Sequence, residues 1–536
     1  MPTKSKNKEN KGKKLTSHSS KSKTHPFFVR DLNKLNQIFL FGIVLILSAF
    51  VVLNVFQNQG FFWLLLVVGS VISINSILLR FDFAVPFLLK YVLTMVKTKR
   101  LVNFIESLAY HAKWFEKICI LGSILGFGVA GVDYWFARKR GGWKRVIIIL
   151  VSALLLALFF TYFCSILFNV PALAPLFIPC LIGFILLGFG GMSLAMLIGY
   201  GVLALIGLFS DKQLCPSVAP VLPGVPIPGL GVVIPLIAWV SLAMVLIIHE
   251  FSHGIMMVYY KEKIKSVGLL VAGFFPMGAF VEQDDKTFNV LSDKKAINVL
   301  SAGSASNLFT MALAWIFLIL FLFALSPLDS VVSSEYNKTF GGVKIKSVSD
   351  RVSYCGIDVN APAKGLFLAE DKVKQINGKD INGIYLLNAE FRNSKGDINF
   401  LVERISLDTN KPYDLNIIVT PFKFEELGIQ KIGVEFEVIQ TGYSPPGEIV
   451  FVQTVASLIS QILLFFVIIS FAAGSFNYFP SDPFDGGRMA KIMLAPYFGF
   501  MKMNEKETQK LIGRLFIWLL IISLTLNMIP YLTMVV

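Results

Sequence analysis

Ile247-Ile248-His249-Glu250-Phe251-Ser252-His253-Gly254-Ile255-Met256 stands inside an apolar run from Val232 to Tyr260, long enough to cross a bilayer as one helix at ~20 residues per crossing. Residues four apart share a helix face, so both imidazoles can reach one metal ion while Glu250 points alongside. A carboxylate at the bilayer midplane costs at least ~2.5 kcal/mol without a partner. The cluster therefore reads as a zinc site in lipid rather than as two histidines satisfied by neighbouring helices. The whole chain of 536 residues has only five histidines, so composition does not account for the pair.

The rest of the chain fits that setting. Hydrophobic residues make up 55% and charged residues 15%, against roughly 25% charged in soluble domains; mean hydropathy is +0.68. Apolar stretches long enough to span lie at about 36–56, 61–79, 117–136, 145–168, 171–209, 231–258, 297–325, 449–474 and 511–534, with 171–209 expected to hold two. Phe83–Val96 is shorter and carries Pro86 and Lys90, so it spans, re-enters or lies at the interface.

The first 25 residues contain eight lysines and one glutamate, +7 of the formal +15. With almost no apolar residue, 1–26 is expected to be a disordered cytoplasmic tail near anionic headgroups. No secretory signal pattern is present, and charge alone does not make a nucleic-acid binder, so no nucleic-acid partner is expected. Cys119, Cys164, Cys180, Cys215 and Cys355 form no Cys-x-x-Cys pair. They read as small buried apolar residues, a Cys215–Cys355 bridge on the exterior face being the one alternative.

One long polar interval, about Leu328 to Gly447, separates two spans. Alternation in Val343–Val348, Lys372–Ile376 and Tyr413–Val419 predicts half-buried strands, with Asn377-Gly378 as a tight turn. Asn360–Leu366 followed by Glu370–Gly378 resembles the helix-then-strand signature of PDZ domains of the protease type, which bind peptide by strand addition. The alternative is an exterior β domain without a ligand.

Two imidazoles leave a catalytic metal in need of a third protein ligand. Asn477-Tyr-Phe-Pro480-Ser-Asp482-Pro483-Phe-Asp485-Gly486-Gly487-Arg488 follows an apolar span and offers two carboxylates; taken alone it reads equally well as a polar turn between spans. The pair His-Glu-x-x-His and Asn-x-x-Pro-x-x-x-x-Asp-Gly resembles the site-2 protease family of intramembrane zinc metalloproteases. The resemblance implies that Asp485, rather than Asp482, is the third ligand beside His249 and His253. It extends to the proline-rich Val221–Gly229, to Gly273–Glu282 as a hairpin dipping back after the metal helix, and to Ala302-Gly303-Ser304-Ala305-Ser306-Asn307. Ser304 stands where the family usually has proline.

The implied fold class is a multi-span α-helical membrane bundle with an inserted small β-rich, PDZ-like extracytoplasmic domain. Its parts are the tail 1–26, N-terminal spans 36–209, a first protease half 221–327, the PDZ-like domain 338–440 and a second half 448–536. The implied activity is zinc metalloendopeptidase action on membrane-spanning substrates, in regulated intramembrane proteolysis or membrane peptide clearance. Glu250 would move the proton, Asn307 and Asn477 would hold the substrate backbone or oxyanion, and Zn2+ would be the cofactor. Membrane proteins or peptides, the bilayer and a peptide ligand of the PDZ-like domain are the expected partners. Competing readings are a membrane metalloprotease with Glu262 as third ligand, and a metal transporter or receptor. Lys261, Lys263 and Lys265 argue that the metal helix ends in the cytoplasm, placing the site in the cell membrane toward its cytoplasmic side. That orientation needs an odd number of earlier crossings, and counting Phe83–Val96 as a span gives seven.

Overall fold

The computed structural model describes residues 32–52, 59–81, 84–86, 92–163, 173–209, 218, 221–225, 233–273, 275–283, 291–354, 357–381, 384–394, 396–406, 409–424 and 429–530. The tail 1–26, Cys164, Cys215, Cys355 and part of 221–229 lie outside those residues, so the expected tail and bridge do too. Cys119 and Cys180 are buried free thiols.

The chain divides into two compact units. The first, 1–97 with 268–277, contains α1 (Leu32–Val51), α2 (Gln59–Leu78), β1 (Ala84–Pro86), β2 (Thr94–Thr98) and the facing ends of β3 (Ile264–Ala272) and β4 (Phe275–Gln283). The strands form one sheet in the order β1-β2-β3-β4. β1 and β2 pair antiparallel, Ala84 opposite Val96, which corrects the reading of Phe83–Val96 as a span. A segment this short cannot cross at ~20 residues; Phe83 and 87–91 lie outside the described residues, and 84–86 and 94–96 pair as strands. Asn75 of α2 supports the sheet from both sides, donating to the Val92 carbonyl and accepting the Gly273 N–H at 3.1 Å.

The second unit, 98–267 with 278–536, begins with α3 (Arg100–Ala109), α4 (Lys113–Val132, continued by a π-helical turn to Ala137), α5 (Gly142–Phe163) and α6 (Phe177–Gly207). α4 and α6 do not run straight. Gly128 (φ +53) breaks α4, and Gly188 (φ +56) breaks α6. Trp135 Nε1 donates to Ser123 Oγ at 2.8 Å, although residues 12 apart in a straight helix are ~18 Å apart. In α6, Cys180 lies 3.9 Å from the Met192 carbonyl, and a Cβ at Gly199 would meet Leu176. Each helix is thus an antiparallel pair of arms. The two bends pack on each other so closely that a Cβ at Gly128 would lie 2.5 Å from the Ile185 carbonyl oxygen, so positive φ and lack of space both demand glycine. The expected crossing at 117–136 is therefore a fold-back. The 171–209 stretch holds one arm of ~16 Å and one of ~28 Å rather than two crossings.

α7 (Ala238–Tyr259) carries the histidine pair, and α8 (Asp293–Asn337) follows the β3–β4 hairpin. Residues 296–307 of α8 are buried on every side, as expected for a helix at the centre of a bundle. Its 45 residues extend ~67 Å, about twice the hydrocarbon thickness, so the helix continues out of the membrane to the β-rich part.

That part contains β5 (Phe340–Val348), β6 (Arg351–Tyr354), β7 (Ile357–Asn360), β8 (Lys372–Ile376), β9 (Lys379–Asp380), α9 (Ile384–Asn393), β10 (Ile398–Ile405), β11 (Pro412–Val419), β12 (Phe422–Phe424), β13 (Ile429–Lys431) and β14 (Val434–Gln440). Its main sheet runs β11-β10-β8-β5-β14. Val343, Ile345, Val373, Ile376, Phe400, Val402, Ile417 and Val419 form the core face, and Asn377 and Gly378 make the expected turn with positive φ. Asn360 ends β7 and 362–366 form turns and no helix, because Pro362 and Gly365 (φ +76) interrupt it; the helix is α9. Arg404 grips the buried Asp371 with two hydrogen bonds of 2.8 and 2.7 Å, which hold its guanidinium above the ordinary arginine pKa.

The chain then returns through α10 (Gly447–Phe476), α11 (Asp485–Leu494) and α12 (Glu505–Asn527), the last opened by an Asn504/Glu507 capping box. By length and composition alone, eight helices among the described residues are apolar enough to cross a membrane, the bent α4 and α6 included, while α2 contributes the shorter apolar helix Leu65–Leu78. The protein is a multi-span helical membrane protein with a β-rich insertion.

Candidate active site

His249 and His253 project from one face of α7 toward α11, whose first residue is Asp485. His253 Nε2 lies 3.2 Å from His249 Nε2 and 3.2 Å from Asp485 Oδ2, and His249 Nε2 lies 3.3 Å from the same oxygen. Tetrahedral zinc with ligands at ~2.0–2.1 Å holds them ~3.3–3.4 Å apart, so the triangle has the size zinc requires. Two imidazoles and one carboxylate are also a donor set that zinc takes while keeping a position open. No other group of three His, Cys, Asp or Glu ligand atoms converges in this way among the described residues.

The outer ring nitrogens are arranged to match. His253 Nδ1–H donates to the Val299 carbonyl at 2.7 Å, which leaves the Nε2 lone pair free for a metal. His249 Nδ1 lies 3.1 Å from the Asn307 amide, and Asn307 Oδ1 is buried without a partner. Turning that amide end for end lets Oδ1 accept the Nδ1 proton and frees Nε2 of His249 in the same way. Gly303 supplies the space: a Cβ there would sit 2.5 Å from His253 Nε2 and 2.6 Å from His249 Nε2.

Glu250 lines a cavity of about 140 Å³ with His253, Met257, Val281, Val299, Leu300, Asp485 and Arg488. Val281, on β4, lines the same cavity. The glutamate is thus held beside the metal donors and outside the triangle.

The remaining sequence candidates separate clearly. Asp482 pairs with Lys491 at 2.5 Å, and Glu262 lies past the end of α7 and outside the triad. Asn477 closes the loop before α11 by accepting the Gly486 N–H on its backbone carbonyl at 2.7 Å; its half-buried side chain makes no hydrogen bond to the triad or Glu250. Val299 and Arg488 escape a motif reading, because a backbone carbonyl has no residue signature and an arginine next to a turn reads as surface.

A model of peptidase family M50 matches residues 237–523, more than half of the chain. An uncharacterised protein of Methanocaldococcus jannaschii is 30% identical over 155 residues, 29% of this chain and 35% of that protein. The match therefore spans about a third of that relative's length.

Proposed function

This chain belongs to peptidase family M50, the site-2 protease family, and on that premise we propose that it is an intramembrane zinc metalloendopeptidase that cleaves membrane-spanning substrates. The observation that carries the reading is the triangle of His249, His253 and Asp485 at 3.2–3.3 Å with Glu250 in the adjoining cavity.

His249, His253 and Asp485 would hold the metal. When bound, zinc supplies the Lewis acidity that polarises a scissile carbonyl and makes water acidic near neutral pH. Glu250 takes a proton from water as it attacks the carbonyl carbon, then returns it to the leaving nitrogen. Val299 and Asn307 keep the imidazoles in the required tautomer. Asn477, whose side chain is uncommitted, is assigned to the substrate backbone. β4 has a strand neighbour on one side only among the described strands, so a locally unwound substrate can pair along its outer edge and pass Glu250.

The orientation with the site toward the cytoplasm draws support from the folded-back helices. If α4 and α6 each enter and leave on one side and the shorter apolar helix Leu65–Leu78 of α2 crosses, then α1, α2 and α5 cross before α7. Three is odd, as seven would have been. Lys97, Lys99, Arg100, Arg138, Lys139, Arg140, Lys261, Lys263 and Lys265 then all share the side of the N-terminus, in keeping with the positive-inside rule. The β-rich insertion falls outside. Its strand β14 ends the sheet beside α9, an edge suited to a peptide ligand of the PDZ kind.

The test is reconstitution of the full chain in vesicles with a single-span substrate, following both cleavage and zinc uptake. Cleavage within the span, lost on chelation, is expected. Zinc uptake without cleavage would favour a transporter.

A further inference from the structure

The helices before α7 take no part in the chemistry above, yet the loop that delivers Asp485 rests on them. Tyr478, fully buried, projects from that loop into a notch in α4. A Cβ at Gly126 would lie 2.5 Å from its Cγ, and one at Gly122 2.6 Å from its hydroxyl oxygen. The hydroxyl hydrogen-bonds Ser301 Oγ at 2.9 Å, and that serine in turn donates to the Cys119 carbonyl of α4 at 2.9 Å. The Tyr478 carbonyl also faces Gly190 of α6.

A second attachment holds the other end of α11. Asp133, wholly buried, accepts two hydrogen bonds from Arg145 at 2.8 and 2.9 Å and one from Tyr497 at 2.7 Å. Arg138 donates to the Met493 carbonyl at 2.9 Å, and its guanidinium carbon lies 5.5 Å from the centre of the Tyr497 ring. Asp485 thus opens a ten-residue helix that is fastened at both ends to the N-terminal helices.

We infer that Tyr478 and Asp133 are positioning residues for the third metal donor, so that the fold-back helices α4 and α6 are part of the metal site and not an accessory anchor. The inference rests on the reading of Asp485 as a ligand. A set of donor atoms drawn from two helices keeps its alignment only if both helices are held in place, and for α11 the attachments include the Tyr478 contacts at its start and the Arg138 and Tyr497 contacts at its end. Tyr478 fixes the start of that helix and the Asp133 cluster its end.

The experiment uses the detergent-purified full chain with Asp133→Asn and Tyr478→Leu. Zinc affinity is read by chelator competition, and donor geometry by the visible spectrum of the Co2+-substituted protein. Zinc binding should weaken by about 10–100-fold, as for loss of outer-shell support elsewhere, with a changed cobalt spectrum and with kcat falling while KM holds. Tyr478→Phe and Tyr497→Phe each remove only a hydroxyl with its hydrogen bonds and decide the matter if the stronger variants do not fold; both should shift zinc affinity in the same direction. Wild-type zinc affinity and cobalt spectrum in every folded variant would overturn the inference, whatever the loss of thermal stability. Asp485→Asn is measured alongside: if it binds zinc as wild type does, the ligand assignment fails, and if it alone loses zinc, only the positioning role does.

Discussion

Replacing Gly303 by alanine puts a Cβ 2.5 Å from Nε2 of His253 and 2.6 Å from Nε2 and Cε1 of His249. Ordinary contact begins near 3.4 Å, so the imidazoles or α8 must retreat by about 0.9 Å. The helix cannot retreat cheaply, because 296–307 is packed on all sides, and overpacking of this kind costs about 1–3 kcal/mol. The imidazoles cannot retreat without leaving the metal, whose ligand distances tolerate only about 0.2 Å. Zinc affinity should fall by at least about 10-fold, as when outer-shell support is lost, and cleavage by at least about 100-fold, the usual cost of a misplacement near 1 Å. Chelator competition on the purified chain gives the first number, and vesicle cleavage of a single-span substrate gives the second. A Gly303→Ala protein with wild-type zinc affinity and cleavage within about twofold of normal would refute the close packing of α8 on the histidine pair.

Asp482→Asn should leave zinc content and cleavage near wild type, since Asp482 is committed to Lys491; loss equal to that of Asp485→Asn would exchange their roles. Arg404→Ala strands Asp371 in the core of the β-rich insertion at a cost of about 3–5 kcal/mol, which hydrogen exchange in β8 and β10 should report, and unchanged protection there would contradict it. Single cysteines at Asn103 and Gly141 in a Cys-free background should label from the side of the N-terminus, and one at Asn377 from the opposite side. Gly141 labelled from the Asn377 side would mean that α4 crosses instead of folding back.

How far the sequence carries depends on whether the chemistry is local. His249, Glu250 and His253 are adjacent on one helix, so spacing alone brings them together. Asp485 is remote, and only the motif resemblance prefers it over Asp482; the structure separates the two by giving Asp482 a lysine. The strands β5, β8 and β11 were legible because alternation registers half-burial directly. The bends at Gly128 and Gly188 were not, because a glycine in an apolar run is ordinary in membrane helices and hydropathy carries no information about direction. For the same reason Phe83–Val96 reads as a short span, although pairing of Ala84 with Val96 gives its backbone another way to be satisfied. Gly303 and Tyr478 matter through contacts across the bundle, which no local pattern encodes.

Zinc content and cleavage, measured together in the wild-type chain and in Glu250→Gln, test the proposed zinc protease most directly. Because Glu250 lines the cavity beside the triangle and is not one of its corners, both proteins should carry one zinc per chain while only the wild type cleaves a membrane-spanning substrate. A Glu250→Gln chain that still cleaves at an appreciable fraction of the wild-type rate, or a wild-type chain that cleaves without zinc, would contradict it.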